Sequence, residues 1–518
     1  MTTVLEDSQA PPPVLGDRRW WALGALSLAV LAGGVDGTVL SVALPTLSKA
    51  LHASESDLQW FSSGYFLVLA AAMLPAGLLG DRYGHKKVLL LSLAMFGAGS
   101  AACAYSTSVA EFMASRVVIG LGGAGIIVMA LSALTVLFTK EERPVAMGIW
   151  GGATFIAFPV GPILGGWLLT HYWWGWVFLM NVPVVLIGFA AVILLVPKSK
   201  PLTRPSLDLV GVASSACGLL ALTYGLIKAG QDGWGDLSAR LSMVVGVAVL
   251  VGFFGWERRL THRPGGQPLL DLTLFESSSF TWGVILAAFP ILAMLGVLFT
   301  MPQYFQGVLG TNAIGSGLRL LPLVGGLIVG AVPAARVVKL VGAKVAVAGG
   351  FVLLAAGLLL GSMTTVGSSG VYVAAWMAVV GLGTGIAMVT TMSAALVELS
   401  PERSGIGSAV LQAVNKTGGP LGIAVLGSVL SAGYLARLDL IGLPVTAVTA
   451  VRASVFGGVA VAHQLHSARL LMSVQTAFTH GMDDALLVSA GIALGGAVLT
   501  VLFLPRTNTP PAATTSAP

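Results

Sequence analysis

Charge is scarce in this chain. Asp, Glu, Lys and Arg make up 9% of its 518 residues, where a soluble domain carries about 25%, so a surface turned mostly to water is excluded. Cysteine is scarcer still. Cys103 and Cys217 both fall in apolar runs, which leaves no disulfide framework and no cysteine-built metal site. No G-x-x-x-x-G-K-[ST] string occurs, which excludes a P-loop ATPase and leaves an ion gradient or a partner as the energy source. A membrane-embedded enzyme would need His, Asp or Glu gathered within the apolar runs, yet Asp36 is the one acid clearly deep in one. The expectation is a protein that is not an enzyme and holds no cofactor or metal. "GLGGAG", residues 120–125, has the form of a dinucleotide fingerprint. It sits in an apolar helical run with no strand before it, so it carries no weight.

Apolar residues fill the space that charge leaves. They make up 56% of the chain, and mean hydropathy is +0.91. Runs of about 20 residues, each long enough to cross a bilayer as a helix, recur along nearly the whole length. The 67 glycines suit such a bundle, since small residues let membrane helices approach closely. Fourteen spans are read, at 20–42, 58–79, 88–106, 109–137, 144–168, 176–196, 207–227, 239–256, 279–301, 314–338, 343–362, 370–397, 405–431 and 484–505. The first apolar stretch is too long for a cleaved signal peptide.

Basic residues then set the orientation. With the N-terminus inside, eighteen Lys and Arg fall on the cytoplasmic side and six outside. That satisfies the positive-inside rule with both termini cytoplasmic. The net charge of +6 is thus a matter of topology and not a nucleic-acid footprint. The segment 432–483 joins the last two spans on the outer side. It reads either as a lid over the outer mouth or as a plain spacer or hairpin. His463, His466 and His480 within it lack metal-ligand spacing.

A few polar groups interrupt the spans. In "GGVDGTVLSVALP", residues 33–45, Asp36 sits where an ionisable group costs about 2.5–3.5 kcal/mol. At 1.5 Å per residue it lies roughly 24 Å from the inner interface, and Arg116 roughly 10 Å below the outer surface. Both fall in the outer half at similar height, where a shared hydrogen-bonded network relieves each. Desolvation opposes the charge on Asp36 and Arg116 supports it, so a proton-exchanging site and a structural ion pair both stand as readings. Lys416, in "LQAVNKTGGPLG", lies roughly 20 Å beyond Arg403. A cation at that depth needs a partner or a watery cavity. It reads as a tie between helices or as a group that sets substrate charge.

Two strings have special spacing. "GLLGDRYGHKK", residues 77–87, brings Gly77, Gly80, Asp81, Arg82, Gly84 and Lys86 to one cytoplasmic turn. Such a charged clasp can hold one conformation and release another. In "GPILGG", residues 161–166, Pro162 kinks its helix, and Gly161, Gly165 and Gly166 admit a close neighbour. A hinge or seal between two halves and simple close packing both account for it.

The 77–87 string resembles the signature loop of the major facilitator superfamily. "RVVIGLGGAG", with Arg116 and Gly120, resembles that family's intramembrane arginine motif, with Ile119 where glutamine is usual. "GPILGG" resembles its antiporter motif. "VDGTVLSVALP" and "FLMNVP", residues 178–183, resemble the fourteen-span drug:proton antiporter branch, the quaternary-ammonium exporter type. The resemblance covers essentially the whole chain.

It implies an all-α polytopic fold, two six-helix halves around a midplane site with two additional spans. The expected division is a tail 1–19, a first bundle 20–197, an additional pair with linkers 198–278, a second bundle 279–505 and a tail 506–518. The additional pair is expected at the periphery. It further implies export of hydrophobic drugs, antiseptics or antibiotics driven by the proton gradient, with resistance as the result. Asp36 and Arg116 would then couple protons, and 77–87 would be a conformational latch. The equivalent loop 331–344 lacks an aspartate, so the latch is expected to be stronger in the first half. Thr38, Gln412, Asn415 and Lys416 are the candidate substrate cavity. Exporters of multiply cationic drugs tend to carry acids in that span. The residues here point instead to a neutral, monocationic or partly anionic amphiphile. The alternative is an exporter dedicated to one endogenous metabolite, antibiotic or lipid-like molecule. Expected partners are the substrate, protons and membrane lipids, with no nucleic acid and a monomeric chain.

Overall fold

The computed structural model describes residues 18–139, 142–196, 208–263, 268–270, 272–396 and 401–505. Helices account for nearly all of them, as hydrocarbon demands: with no water to bond the backbone, intrahelical hydrogen bonds must satisfy it. In the first half, α1 (Arg18–Ala50), α2 (Glu55–Tyr83), α3 (His85–Ala104), α4 (Val109–Leu137) and α5 (Arg143–His171) come in turn. α6 (Trp176–Leu179) and α7 (Asn181–Leu195) together complete its sixth crossing. The additional pair is α8 (Leu209–Asp232) and α9 (Leu237–Thr261). The second half opens with α10 (Ser278–Gln303), α11 (Ala313–Arg319), α12 (Leu321–Ala331) and α13 (Ala334–Val341). It continues with α14 (Ala343–Gly361), α15 (Gly370–Leu396) and α16 (Pro401–Arg437), then α17 (Val445–Ala453), α18 (Val455–Gln464) and α19 (Ala468–Phe503). Among the described residues, 14 crossings are long and apolar enough to span a bilayer, and each overlaps one of the runs read from the sequence. An even number leaves the two ends of the bundle chain on one side, here called proximal; the other side is distal.

Local chemistry starts and stops these helices. Ser54 and Asp57 form a reciprocal capping box at α2, while Ser108, Asp208, Asp236 and Ser277 cap α4, α8, α9 and α10. Each such cap contributes about 1 kcal/mol. Between α2 and α3 the chain reverses through Gly84 at φ 95°, a conformation that side chains disfavour.

The last crossing begins at Ala468, well before the apolar run at 484. Polar residues interrupt the hydropathy there without interrupting the helix, because they have partners. Gln475 donates to the Val308 carbonyl at 2.9 Å, Thr479 to the Gln475 carbonyl at 2.8 Å, and Arg437 pairs with Asp484 at 2.6 Å. The distal segment is therefore 438–467 and not 432–483, and it folds into α17 and α18. α18 packs on α1 of the first half and on α19 of the second. Arg469 holds Asp439 at 2.6 Å, and with the Ile441 N–H it keeps that exposed carboxyl below the usual carboxylate range. The run read at 314–338 is broken at Leu320 and Pro333, since Pro322 and Pro333 each lack a backbone donor.

α9 lies at the periphery, but α8 does not. It packs against both α2 and α16, and Ser428 donates to the Leu226 carbonyl at 2.6 Å. A Cβ on Gly230 would fall 2.5 Å from Ser428 Cα, so glycine is what lets α8 seat there. α8 thus bridges the two halves near the distal end. Elsewhere the seam is built chiefly by α1, α2 and α5 on one side and α10, α11, α12, α16 and α18 on the other.

Candidate coupling and transport site

Glycines bring α1 hard against its neighbours around Asp36. A Cβ on Gly34 would lie 2.6 Å from Ala157 of α5, and one on Gly37 would lie 3.0 Å from the Phe66 ring of α2. Asp36 is consequently fully buried at 0% exposure. Arg116 of α4, 2% exposed, donates from Nη1 to Asp36 Oδ2 at 2.6 Å and from Nε to the Phe61 carbonyl at 3.2 Å. Asn181, at the start of α7, donates to Asp36 Oδ1 at 3.2 Å and lies 3.3 Å from Ser100 Oγ. The Arg116 guanidinium stacks over the Tyr65 ring at 4.4 Å, and the Tyr65 hydroxyl donates to the Gly33 carbonyl at 3.1 Å. Both carboxylate oxygens are thus partnered, while Arg116 Nη2 has no partner among the described residues. A charge pair this dry is retained at a desolvation cost of several kcal/mol per ion.

The glycines around Pro162 face two ways. A Cβ on Gly161 or Gly165 would overlap Thr38 or Val39 of α1, within the first half. A Cβ on Gly166 would come within 2.7 Å of the Ala313 carbonyl and Ile314 Cα of α11, across the seam. Gly317 reciprocates, since its absent Cβ leaves room for the Pro162 carbonyl. Thr38 is 4% exposed and donates to the Ala157 carbonyl at 3.1 Å, so it belongs to the α1–α5 contact and not to open space.

At the proximal turn, Asp81 near the end of α2 pairs with His85, the first residue of α3, at 3.1 Å. Lys86 donates to the carbonyls of Ile193 and Val196 at 2.8 and 2.6 Å, closing the end of α7, where a cation also complements the helix dipole. Gly80 accommodates Met129 of α4; a Cβ there would lie 2.6 Å from its sulfur. Gly77 stands in ordinary contact range of Val128. Arg82 lies over the Tyr83 ring at 5.6 Å.

Lys416 is partly buried and makes no hydrogen bond or ion pair among the described residues. It precedes Gly427 by eleven residues, about three turns, and so shares its face. That face meets α2, where a Cβ on Gly427 would lie 2.6 Å from the Gln59 amide. Between them, Gly419 sits against Phe66, which also covers Gly37 of α1. Lys416 therefore lies just proximal to Phe66, whose ring sits between Gly37 of α1 and Gly419 of α16. Gln412, one turn further, is partly buried, and buried Asn415 has an Oδ1 without a partner.

Asn181, Ser100 and Tyr65 complete the Asp36 network without having been singled out from the sequence. Asn181 had a signal, as the lone amide in "FLMNVP" at the head of an apolar run. Ser100 and Tyr65 had none, because helical sequence does not say which neighbour a face will meet. A second polar group, Glu55, Gln59 and Gln303, also escaped notice; it joins the halves at the distal end.

Twelve crossings in two halves with an additional pair, a seam closed by interlocking glycines, and a buried acid–arginine pair beside it define a polytopic membrane transporter. The Major Facilitator Superfamily description matches residues 26–423, and the chain belongs to that superfamily. It is 34% identical over 509 residues to the tetracenomycin C resistance and export protein of Streptomyces glaucescens, covering 95% of this chain and 93% of the relative. It is 31% identical to the multidrug efflux pump LfrA of Mycolicibacterium smegmatis, covering 93% and 95%. Within the superfamily it is thus related to the drug and antibiotic exporters, and it is a transporter and not an enzyme. Its fold is similar to that of a bacterial homologue of the human lysosomal transporter Spinster, with a TM-score of 0.66 at 16% identity, covering 94% and 97% of the two chains.

Proposed function

We propose that this chain is a proton-coupled antiporter of the cytoplasmic membrane. It exports hydrophobic small molecules such as drugs, antiseptics or antibiotics, giving resistance, and both termini are cytoplasmic. The observation that carries this reading is the fully buried Asp36–Arg116 pair inside a bundle whose relatives are exporters. The excess of Lys and Arg at the proximal end supports the orientation, which makes the distal end the outer one.

With the outer end closed, Asp36 is ionised and held by Arg116 and Asn181, and substrate enters from the cytoplasm to lie beneath Phe66. Rocking of the halves then admits outer water to Asp36. A proton taken there loosens Arg116, and its release on the inner side resets the carrier, so inward proton flow drives export. The 77–87 turn acts as the latch on the inner side. Gly161, Pro162, Gly165 and Gly166 act as the seal on the outer side. Lys416, Gln412 and Asn415 line the substrate's place.

Everted vesicles energised by a proton gradient test the reading with ethidium, methyl viologen, a neutral lipophilic dye and an anionic dye. Uncoupler-sensitive uptake of at least one is expected, and uptake of none overturns the broad-substrate reading. The dedicated-exporter reading has its own support, since one close relative is named for a single compound. It is favoured if expression changes resistance to one molecule alone. In the same assay Lys416→Ala is expected to raise KM for the anionic dye while sparing the cations. A charge-assisted contact is worth about 1.5–3 kcal/mol, or roughly ten- to hundredfold. Equal effects on all four dyes would make Lys416 structural.

A further inference from the structure

Glu55 opens α2 at the outer end, and folding has closed it into the seam. It is 8% exposed, and Gln303 of α10 donates to its Oε1 from Nε2 at 3.1 Å, a side-chain hydrogen bond that joins the halves. Gln59 follows one turn later on the same face. It is fully buried, and among the described residues neither its Oε1 nor its Nε2 has a partner; Gln303 Oε1 has none either. Two amide oxygens beside a buried carboxylate thus lack a donor.

No described cation answers the carboxylate. Gln303 is the polar side chain bonded to it from α10. Tyr434 of α16 is the titratable group close enough to sense it, and that hydroxyl donates to the Val451 carbonyl at 2.8 Å. On its own helix, Asp57 is committed to the Ser54 cap. Asp36 makes the contrast. Its two oxygens have Arg116 and Asn181, whereas Glu55 has one amide and no cation among the described residues.

We propose that Glu55 is a second proton-binding site, lodged in the outer gate and distinct from Asp36, and that its protonation closes that gate. When the gate is open, Glu55 meets outer water and ionises. Closing an ionised carboxylate into the seam costs several kcal/mol without a partner. One proton removes that charge and supplies the O–H that Gln59 Oε1 or Gln303 Oε1 can accept. Outer acidity thereby favours the closed gate, on the same side from which the exchanged proton enters. The link to coupling rests on the antiporter reading; protonation of Glu55 does not.

Infrared difference spectra of the full chain in nanodiscs read the proton directly. At neutral pH the wild type is expected to show a protonated-carboxyl C=O band with a component that Glu55→Gln removes, that Asp36→Asn keeps and that Gln303→Leu shifts. A Glu55→Gln spectrum identical to wild type overturns the proposal. Spin labels at Ala110, exposed in the first turn of α4, and Met363, exposed on the turn after α14, read the gate in a background lacking Cys103 and Cys217. The wild-type distance should lengthen from mildly acidic to mildly alkaline buffer, and Glu55→Gln should stay short throughout. If the variant lengthens as the wild type does, Glu55 does not control the gate. Neither measurement needs a substrate, so failure here and failure of the export reading are separable.

Discussion

Asp36→Asn is expected to reduce gradient-driven export in everted vesicles to the level of empty membranes, while the protein still folds. Asparagine keeps the shape and can accept from Arg116 through its amide oxygen, but it cannot take up and release a proton. Arg116→Leu should do more harm to the fold. It strips the sole described cation from a carboxylate at 0% exposure, and removing one member of a buried pair costs about 3–5 kcal/mol. The double variant Asp36→Asn with Arg116→Leu should then be more stable than Arg116→Leu alone, because the second change deletes the uncompensated charge. Thermal unfolding of the three purified proteins checks the order. If Asp36→Asn keeps wild-type gradient-driven export, Asp36 is a structural partner of Arg116 and couples nothing. An Arg116→Leu protein as stable as the wild type would remove the electrostatic argument as well.

Gly317→Val should trap the carrier with its outer end apart. The new side chain meets the Pro162 carbonyl, a backbone atom that cannot swing aside, so α11 and α5 must separate. Overpacking of this kind costs about 1–3 kcal/mol, enough to shift a two-state equilibrium roughly 5- to 150-fold. Gly166→Val should act alike through Ala313 and Ile314. The contact lies between the halves and not within one, so each half should still fold. Gly383→Val is the comparison. There an added Cβ would lie 2.6 Å from Leu354 Cα, inside the α14–α15 contact of a single half, and loss of folded protein is expected. Longer Ala110–Met363 spin-label distances with export abolished and thermal stability kept would mark Gly317 as part of the gate. An unchanged distance would return it to ordinary packing.

Much of this site is legible in one dimension. Rise per residue places Asp36 and Arg116 at one height, and the 2.6 Å contact between them follows once α1 and α4 are neighbours. The same arithmetic puts Lys416 at mid-depth. It does not reveal that Lys416 shares a face with Gly427, next to Gln59 and beneath Phe66, or that Thr38 turns its hydroxyl to α5. Glu55 and Gln303 stand 248 residues apart, and nothing in either neighbourhood announces the other. Residues 473–484 misled for a related reason. Hydropathy counts each polar side chain as a cost, yet Gln475, Thr479 and Asp484 recover it from partners on other turns and other helices.

The order of apolar and polar residues alone set the class of this protein, the number of its crossings, and the height that Asp36 and Arg116 share. These are properties of a chain measured along its own axis, where partition into lipid and a fixed rise per residue suffice. Which helix stands beside which, and which way each face turns, was settled only when glycine-lined surfaces interlocked and buried polar groups found their donors. Those contacts join residues far apart in the chain, so α8 as a bridge, the Asn181 support of Asp36 and the Glu55 gate exist only in three dimensions.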